Sequence, residues 1–222
     1  KIITGLIRQN SGECLIFGKK LSVREKSKIG YLPESPYFYK FPTGFELTVF
    51  YAKLCGMPNA AAKQAAMKAL NTVGLDDAAD RPIALYSKGM TQRAGLAQAI
   101  VHNPKLLILD EPASGLDPVG ADDLCNIILR LKSEGKTILL SSHIMSEVER
   151  LCDRIAIMSR GLVAAMGNTS EMLEIKGRYS LSFDSDSPEV VRKAAEDAGA
   201  KSTSLSSAKI KLDEFFRRIA KK

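Results

Sequence analysis

The sequence predicts an α/β protein built on a parallel sheet, and three observations carry the prediction. Its short aliphatic runs, LLIL at 106–109, TILLSS at 137–142 and RIAIM at 154–158, are continuous rather than alternating, the pattern of strands covered on both faces. Helical segments with their own start and stop signals separate these runs. The 222 residues are 45% hydrophobic and 26% charged, with a mean hydropathy of −0.06, which suits a globular chain long enough to bury a core.

Each element has a local reason. KIITGL at residues 1–6 reads as the last turn of a helix closed by Gly5. Residues 12–17 (GECLIF) and 28–32 (KIGYL) read as short strands bounded by Gly and Pro. Residues 43–55 and 59–73 read as helices, the second Ala-rich, with Asn59 as its N-cap and Gly74 as its stop. Leu47, Phe50, Tyr51 and Leu54 at helical spacing are expected to supply core. Ser87 is placed to cap a third helix running to about His102, with Met90, Ala94, Ala97 and Val101 as its apolar stripe. A strand at 106–109, a helix at 119–133, a strand at 137–142, a helix at 144–151 and a strand at 154–158 follow, and Gly161 starts a hairpin return, LVAAMG. Residues 168–176 look like a short helix. Residues 177–222 are expected to form a small α/β appendage: a strand YSLSF, a helix at 189–198 and a final helix LDEFFRRIAKK.

Composition narrows the function. No apolar run approaches the roughly 18 residues of a membrane span, and the first residues lack the apolar centre of a secretory signal. Cys14, Cys55, Cys125 and Cys152 are far apart and form no Cys-x-x-Cys pair, so neither a zinc site nor a disulfide framework is indicated. The formal charge of +7 is made of +5 in residues 1–28, +4 in residues 209–222 and −2 between them. Basic residues spread over two ends without aromatic interleaving read as solvated surface, and no nucleic-acid partner is expected.

The chemistry concentrates where LLIL runs into Asp110 and Glu111. In an open parallel sheet the carboxyl ends of strands form the ligand rim. An aliphatic strand followed by Asp is how nucleotide triphosphatases hold magnesium, and Glu111, one residue on, is suited to polarise a water. Taken alone, the same pair serves equally as solvent-facing acids capping the next helix.

The neighbours of the pair decide between these readings. YSKGMTQR at 86–93, LILDEP at 107–112, SGLD at 114–117 and SSH at 141–143, together with Glu34 in YLPE, resemble in order and spacing the nucleotide-binding subunits of ABC transporters, over nearly all of residues 1–167. They stand where that family has its signature motif, Walker B, D-loop, switch histidine and Q-loop. The resemblance implies a P-loop NTPase-like parallel sheet with a helical signature subdomain and an appended C-terminal α/β unit. The expected division is 1–35 for a remnant of the ATP-binding core, 36–103 for the helical subdomain, 104–176 for the core with Walker B and the switch histidine, and 177–222 for the appendage.

It also implies roles. Asp110 and Glu34 would hold Mg2+, partly through water; Glu111 would be the general base; His143 would stabilise charge at the γ-phosphate. Ser87, Lys88, Gly89 and Asp117 would bind ATP, the signature residues reaching the nucleotide held by a second, head-to-tail ATPase subunit. The aromatic segment at residues 36–57 would receive transmembrane permease subunits, or else pack the helical subdomain, and the protein would sit peripherally on the cytoplasmic face of the membrane.

The departures from the family pattern are specific. Tyr86, Lys88 and Met90 replace the Leu, first Gly and Gln of Leu-Ser-Gly-Gly-Gln, and Glu34 replaces the Q-loop Gln. No Gly-x-x-x-x-Gly-Lys-Ser/Thr occurs in the 222 residues, so the amide cradle and lysine for the phosphates are missing. The expectation is an N-terminally truncated sequence with weak ATP binding and little turnover alone. Two other classes stay open: a soluble ABC protein acting on ribosomes or DNA, and a catalytically dead interaction module that kept the fold.

Overall fold

The computed structural model describes residues 1–183 and 202–209. The chain forms two compact units, Lys1–His143 and Ile144–Lys222.

The first unit opens on a helix-terminating motif. Leu6 N–H donates to the Lys1 carbonyl (3.0 Å) and Gly5 N–H to that of Ile2 (2.9 Å), with Gly5 at φ +72°. This is the paired hydrogen bonding of a Schellman cap, which requires a left-handed residue. The expected strand at 12–17 shrinks to a two-residue hairpin arm, β1 (Leu15–Ile16), paired with β2 (Lys19–Lys20). Phe17 and Gly18 both have positive φ, as a type I′ turn demands. A short helix α1 (Val23–Lys26) leads to β3 (Ile29–Leu32).

A helical layer follows. Thr43 and Glu46 form a reciprocal capping box at the start of α2 (Gly44–Leu54). Helix α2 buries Gly44, Leu47, Thr48 and Ala52, leaving Phe50 and Leu54 exposed. The core role expected for those two is therefore corrected: they lie off the 44, 48, 52 face that packs on the next helices. Helix α3 (Asn59–Thr72) has Pro58, not Asn59, at the N-cap. Proline's fixed φ and missing N–H suit a helix start, and Asn59 becomes the first helical residue. Gly74 at φ +64° closes α3. Helix α4 (Lys88–Ile100) ends two residues short of His102, with Ala94, Ala97 and Val101 buried and Met90 half-buried.

Strand β4 (Leu106–Asp110) lies between β3 and β5 (Thr137–Ser141), all parallel, with Leu32, Leu109 and Leu140 in register; α5 (Pro118–Ser133) makes the crossover from β4 to β5. Leu107 and Leu109 in the central strand are buried. Strand β5 departs from expectation: it is the outer strand and leaves Leu139 exposed, so it is not covered on both faces.

His102 joins this sheet to α4. Its Nε2 lies 3.0 Å from the Ile29 carbonyl, which can only accept, so the ring proton sits on Nε2. Nδ1 is buried with no hydrogen-bond partner. Burial pushes the imidazole pKa below the ordinary histidine range; the Ile29 carbonyl opposes this and the Lys136 charge adds to it. The unfolded chain, with an ordinary histidine near pH 6.5, takes up its proton first, so this contribution to stability is complete above that pH and is lost on acidification. Between pH 7.5 and 5.5 the thermal midpoint should fall, and His102→Gln, which keeps a donor but does not titrate, should flatten that fall by on the order of 2 °C. Equal slopes in the two proteins would count against the assignment.

In the second unit, α6 (Met145–Leu151) precedes β6 (Arg154–Ser159), which pairs antiparallel with β7 (Leu162–Asn168) through a turn at Arg160 and Gly161, both with positive φ. The helix expected at 168–176 is reduced to α7 (Thr169–Met172). Lys176 instead lies in β8 (Glu174–Phe183), which contains the expected YSLSF strand and pairs with β9 (Ser202–Lys209). Ile155 and Leu173 form a small core with Met145, Val148, Cys152 and Met172. The helices expected at 189–198 and 212–222 lie outside the described residues. No helix among the described residues is long and apolar enough to cross a membrane.

Candidate functional site

The three parallel strands end together, and the register decides what their ends carry. Asp110 is the last residue of β4 and pairs with Ser141, the last residue of β5. Glu34 lies two residues beyond Leu32, the end of β3. The carboxyl edge thus presents Glu34, then Asp110 and Glu111, then Ser141 and His143.

Hydrogen bonds bind the last four into one cluster. The Ser141 hydroxyl donates to Asp110 Oδ1 (2.7 Å), and the Glu111 N–H lies 3.0 Å from Ser141 Oγ and 3.1 Å from the Ser141 carbonyl. Glu111 Oε2 is 2.7 Å from His143 Nδ1 and accepts from the His143 N–H at 3.3 Å. Glu111 has φ +47°, a left-handed conformation costing about 1 kcal/mol or more in a non-glycine residue. The turn separates the directions of the two acids: Asp110 bonds Ser141, and Glu111 bonds His143. The His143 ring is largely exposed and the Glu111 side chain mostly covered. Glu34 is exposed and makes no hydrogen bond or ion pair among the described residues.

The remaining candidates lie on helix starts. Ser87 caps α4, its Oγ accepting from the Met90 N–H (3.2 Å). Gly89 lies in the first turn, where free amides and the helix dipole favour an anion. Asp117 caps α5, with Oδ1 accepting from the Gly120 N–H (2.7 Å) and Pro118 following as the first helical residue. Lys88 reaches the 114–117 turn, where a Cβ on Gly115 would run into its ammonium group. No hydrogen bond joins Ser87 or Gly89 to Asp110, Glu111 or His143. Tyr86 faces the helical layer: its hydroxyl donates to the Ala78 carbonyl (2.8 Å), and a side chain on Gly44 would overlap it. Burial chiefly raises the Tyr86 phenol pKa; the nearby Asp80 also raises it and Arg81 opposes the shift.

Ser141 is the member of the cluster whose contacts sequence reasoning missed. Its signal was available: a hydroxyl residue ending the strand after the acidic one, in parallel register with Asp110.

Asp110 offers only oxygen, the donor that a hard cation such as Mg2+ prefers. Among the described residues no group of three or more His, Cys, Asp or Glu is arranged to hold a metal ion by itself. The donor set therefore fits a magnesium ion that keeps waters and phosphate oxygens as its other ligands, and does not fit an all-protein cage.

The family profile described as ABC transporter matches residues 1–114. This chain belongs to the ABC transporter ATP-binding family. An uncharacterized ABC transporter ATP-binding protein of Nostoc sp. is 42% identical over 196 residues, 87% of this chain and 58% of that protein. The lantibiotic transport ATP-binding protein SrtF of Streptococcus pyogenes is 41% identical over 163 residues, 73% of this chain and 69% of that protein. The chain spans 58% and 50% of the first two curated relatives it matches, those of Nostoc sp. and Synechocystis sp.. Among solved structures, an ATP-binding subunit of an ABC transporter superposes with a TM-score of 0.71 at 26% identity, over 98% of this chain and 80% of that one. The cbiO1 protein of Clostridium perfringens, described as part of the ABC transporter complex cbiONQ, gives 0.70 at 26% identity, over 87% and 76%. Membership in the ABC transporter ATP-binding family accounts for the parallel sheet and for the order of its landmarks along the chain.

Proposed function

We propose that this chain is the ATP-hydrolysing subunit that energises an ABC-type membrane transporter. The single observation that carries the proposal is the hydrogen-bonded cluster of Asp110, Ser141, Glu111 and His143 at the carboxyl edge of the sheet. Asp110, with Glu34 following the neighbouring strand β3, would hold Mg2+, partly through water. Bound Mg2+ supplies charge neutralisation at the phosphate oxygens. Glu111 takes the proton of the attacking water on its carboxylate, and His143, held through Nδ1, presents its ring where charge develops. Ser87, Lys88, Gly89 and Asp117 face the nucleotide of a second, head-to-tail subunit. Residues 36–103 serve as the helical subdomain between the core segments at 1–35 and 104–176, with 177–222 appended.

Tyr37, Tyr39 and Phe41 are 88%, 73% and 81% exposed; so much bare aromatic surface supports docking of transmembrane permease subunits on this loop, peripherally at the cytoplasmic face of the membrane. No Gly-x-x-x-x-Gly-Lys-Ser/Thr occurs among the 222 residues, and such a loop supplies the amide cradle for β- and γ-phosphates.

The test joins a strand, a Gly-x-x-x-x-Gly-Lys-Thr loop and a helix ahead of Lys1 and measures Mg2+-dependent ATP hydrolysis. Turnover that disappears without Mg2+ is the expected result. Tight ATP binding with no hydrolysis would replace the proposal by a catalytically silent interaction module.

A further inference from the structure

We propose that Ser141 is a positioning residue for both acids of the site: its hydroxyl engages one Asp110 oxygen, leaving the other toward the waters of Mg2+, and holds the Glu111 backbone so that its carboxylate meets His143. The inference rests on the roles given to Asp110 and Glu111 above. The observation is a pair of contacts made by one oxygen atom. A serine hydroxyl has one proton and two lone pairs. Here the proton goes to Asp110 Oδ1 (2.7 Å), and a lone pair accepts the Glu111 N–H (3.0 Å). The bond to the carboxylate is charge-assisted, and it polarises the hydroxyl, so the same oxygen accepts more strongly from Glu111. Register delivers it: Ser141 and Asp110 are partners at the carboxyl ends of β5 and β4, on one face of the sheet.

Each acid is affected in its own way. With Oδ1 drawn across the sheet to β5, the Asp110 carboxylate is fixed in rotation, and Oδ2 is the oxygen set toward the cation's waters. Glu111 sits at φ +47°, a conformation costing about 1 kcal/mol or more, and its N–H is shared between Ser141 Oγ and the Ser141 carbonyl (3.1 Å). Both arms of that three-centre bond come from one residue. Two residues on, His143 takes the other end of Glu111: Oε2 lies 2.7 Å from Nδ1 and accepts from the His143 N–H (3.3 Å). The end of β5 therefore grips Glu111 twice, Ser141 by its backbone and His143 by its carboxylate. Without the hydroxyl the carbonyl arm and the β4–β5 pairing remain, so the sheet persists while the two acids lose their common anchor.

The test uses the 222-residue chain without nucleotide. Ser141→Ala removes the hydroxyl; Ser141→Thr restores it on an exposed residue of the outer strand, where a β-branched side chain is at home. In Ser141→Ala the Glu111 amide proton should shift upfield as it loses one of its two acceptors. Its coupling to Hα, which reads φ, should change, and the Asp110 carboxyl carbon resonance should move. The His143 imidazole resonances should shift with them, readable because the chain has two histidines and His102→Gln identifies the other. Amide signals of residues 106–108 and 137–139 should stay in place, and the thermal midpoint should hold within about 2 °C. Ser141→Thr should return the Glu111 coupling and the His143 resonances to those of the parent. Unchanged Glu111 and Asp110 signals in Ser141→Ala, shifts spread along both strands, or failure of Ser141→Thr to restore the coupling and the His143 resonances would each overturn the proposal. No nucleotide enters these measurements, so a failed ATPase reading and a failed Ser141 reading are told apart.

Discussion

Glu111→Gln is expected to lower ATP turnover by about 10²–10⁴-fold, the span associated with loss of a general base, in a polypeptide that carries a phosphate-binding loop joined ahead of Lys1. The substitution keeps the shape of the side chain and an oxygen able to accept from His143 Nδ1 and the His143 N–H, the two contacts Oε2 makes now. What it removes is basicity. Backbone strain is unaltered, because glutamine at φ +47° meets the same crowding as glutamate. The Ser141 bonds to the Glu111 N–H and to Asp110 involve no side-chain atom of residue 111, so Asp110 keeps its orientation. Nucleotide affinity should accordingly stay within a few-fold and the thermal midpoint within a degree or two, while kcat falls and KM holds, the signature of an interaction made in the transition state. Near-normal kcat would remove Glu111 as the base. A fall matched by loss of nucleotide binding would mean that the carboxylate serves the metal instead.

That prediction depends on a mixture of features legible and illegible in one dimension. The identity of the acidic pair was legible, since an aliphatic run ending in Asp and Glu places both at a strand's carboxyl end wherever the strand sits in the sheet. The start of α4 was legible because Ser87 caps it through its own oxygen; Thr43 and Asp117 cap α2 and α5 in the same way, but neither was read as a cap. Asn59 misled because the preceding proline already satisfies the entry geometry. The bonds from Glu111 to His143 and from Asp110 to Ser141 span 32 and 31 residues, and only the parallel register of β4 with β5 creates them. A short aliphatic strand reads alike at the centre and at the rim of a sheet, which is why the exposed Leu139 of β5 was illegible. The place of Lys88 beside Gly115 depends on how α4 is packed over the sheet, a close approach that two glycines make possible.

Those glycines give the second large effect. Gly30→Ala should destabilise the first unit by about 3 kcal/mol or more, a large share of the roughly 5–15 kcal/mol that holds a domain together. Gly30 lies in β3 under α4, and a Cβ there would strike the carbonyl oxygen of Ala99, with Leu107 Cδ2 at 2.8 Å and the Ala99 carbonyl carbon at 3.0 Å. A helix carbonyl cannot rotate away, and Leu107 is fully buried in the central strand. Relief therefore requires α4 to lift from the sheet, stretching the bond from His102 to Ile29. Gly95, on α4 itself, offers the comparison: its Cβ would meet Leu32 Cδ1 at 2.7 Å and Pro36 side-chain atoms at 3.1 Å. Side-chain atoms yield more readily than a carbonyl, so Gly95→Ala should cost less than Gly30→Ala. Gly12→Ala meets nothing within 4 Å and has φ +77°, so it should cost only the left-handed backbone term of about 1–2 kcal/mol. Urea midpoints for the three variants should fall most for Gly30→Ala, then for Gly95→Ala. A Gly30→Ala protein as stable as the parent would mean that α4 does not ride on β3 this closely. In that case the start of α4 would not be fixed by the sheet.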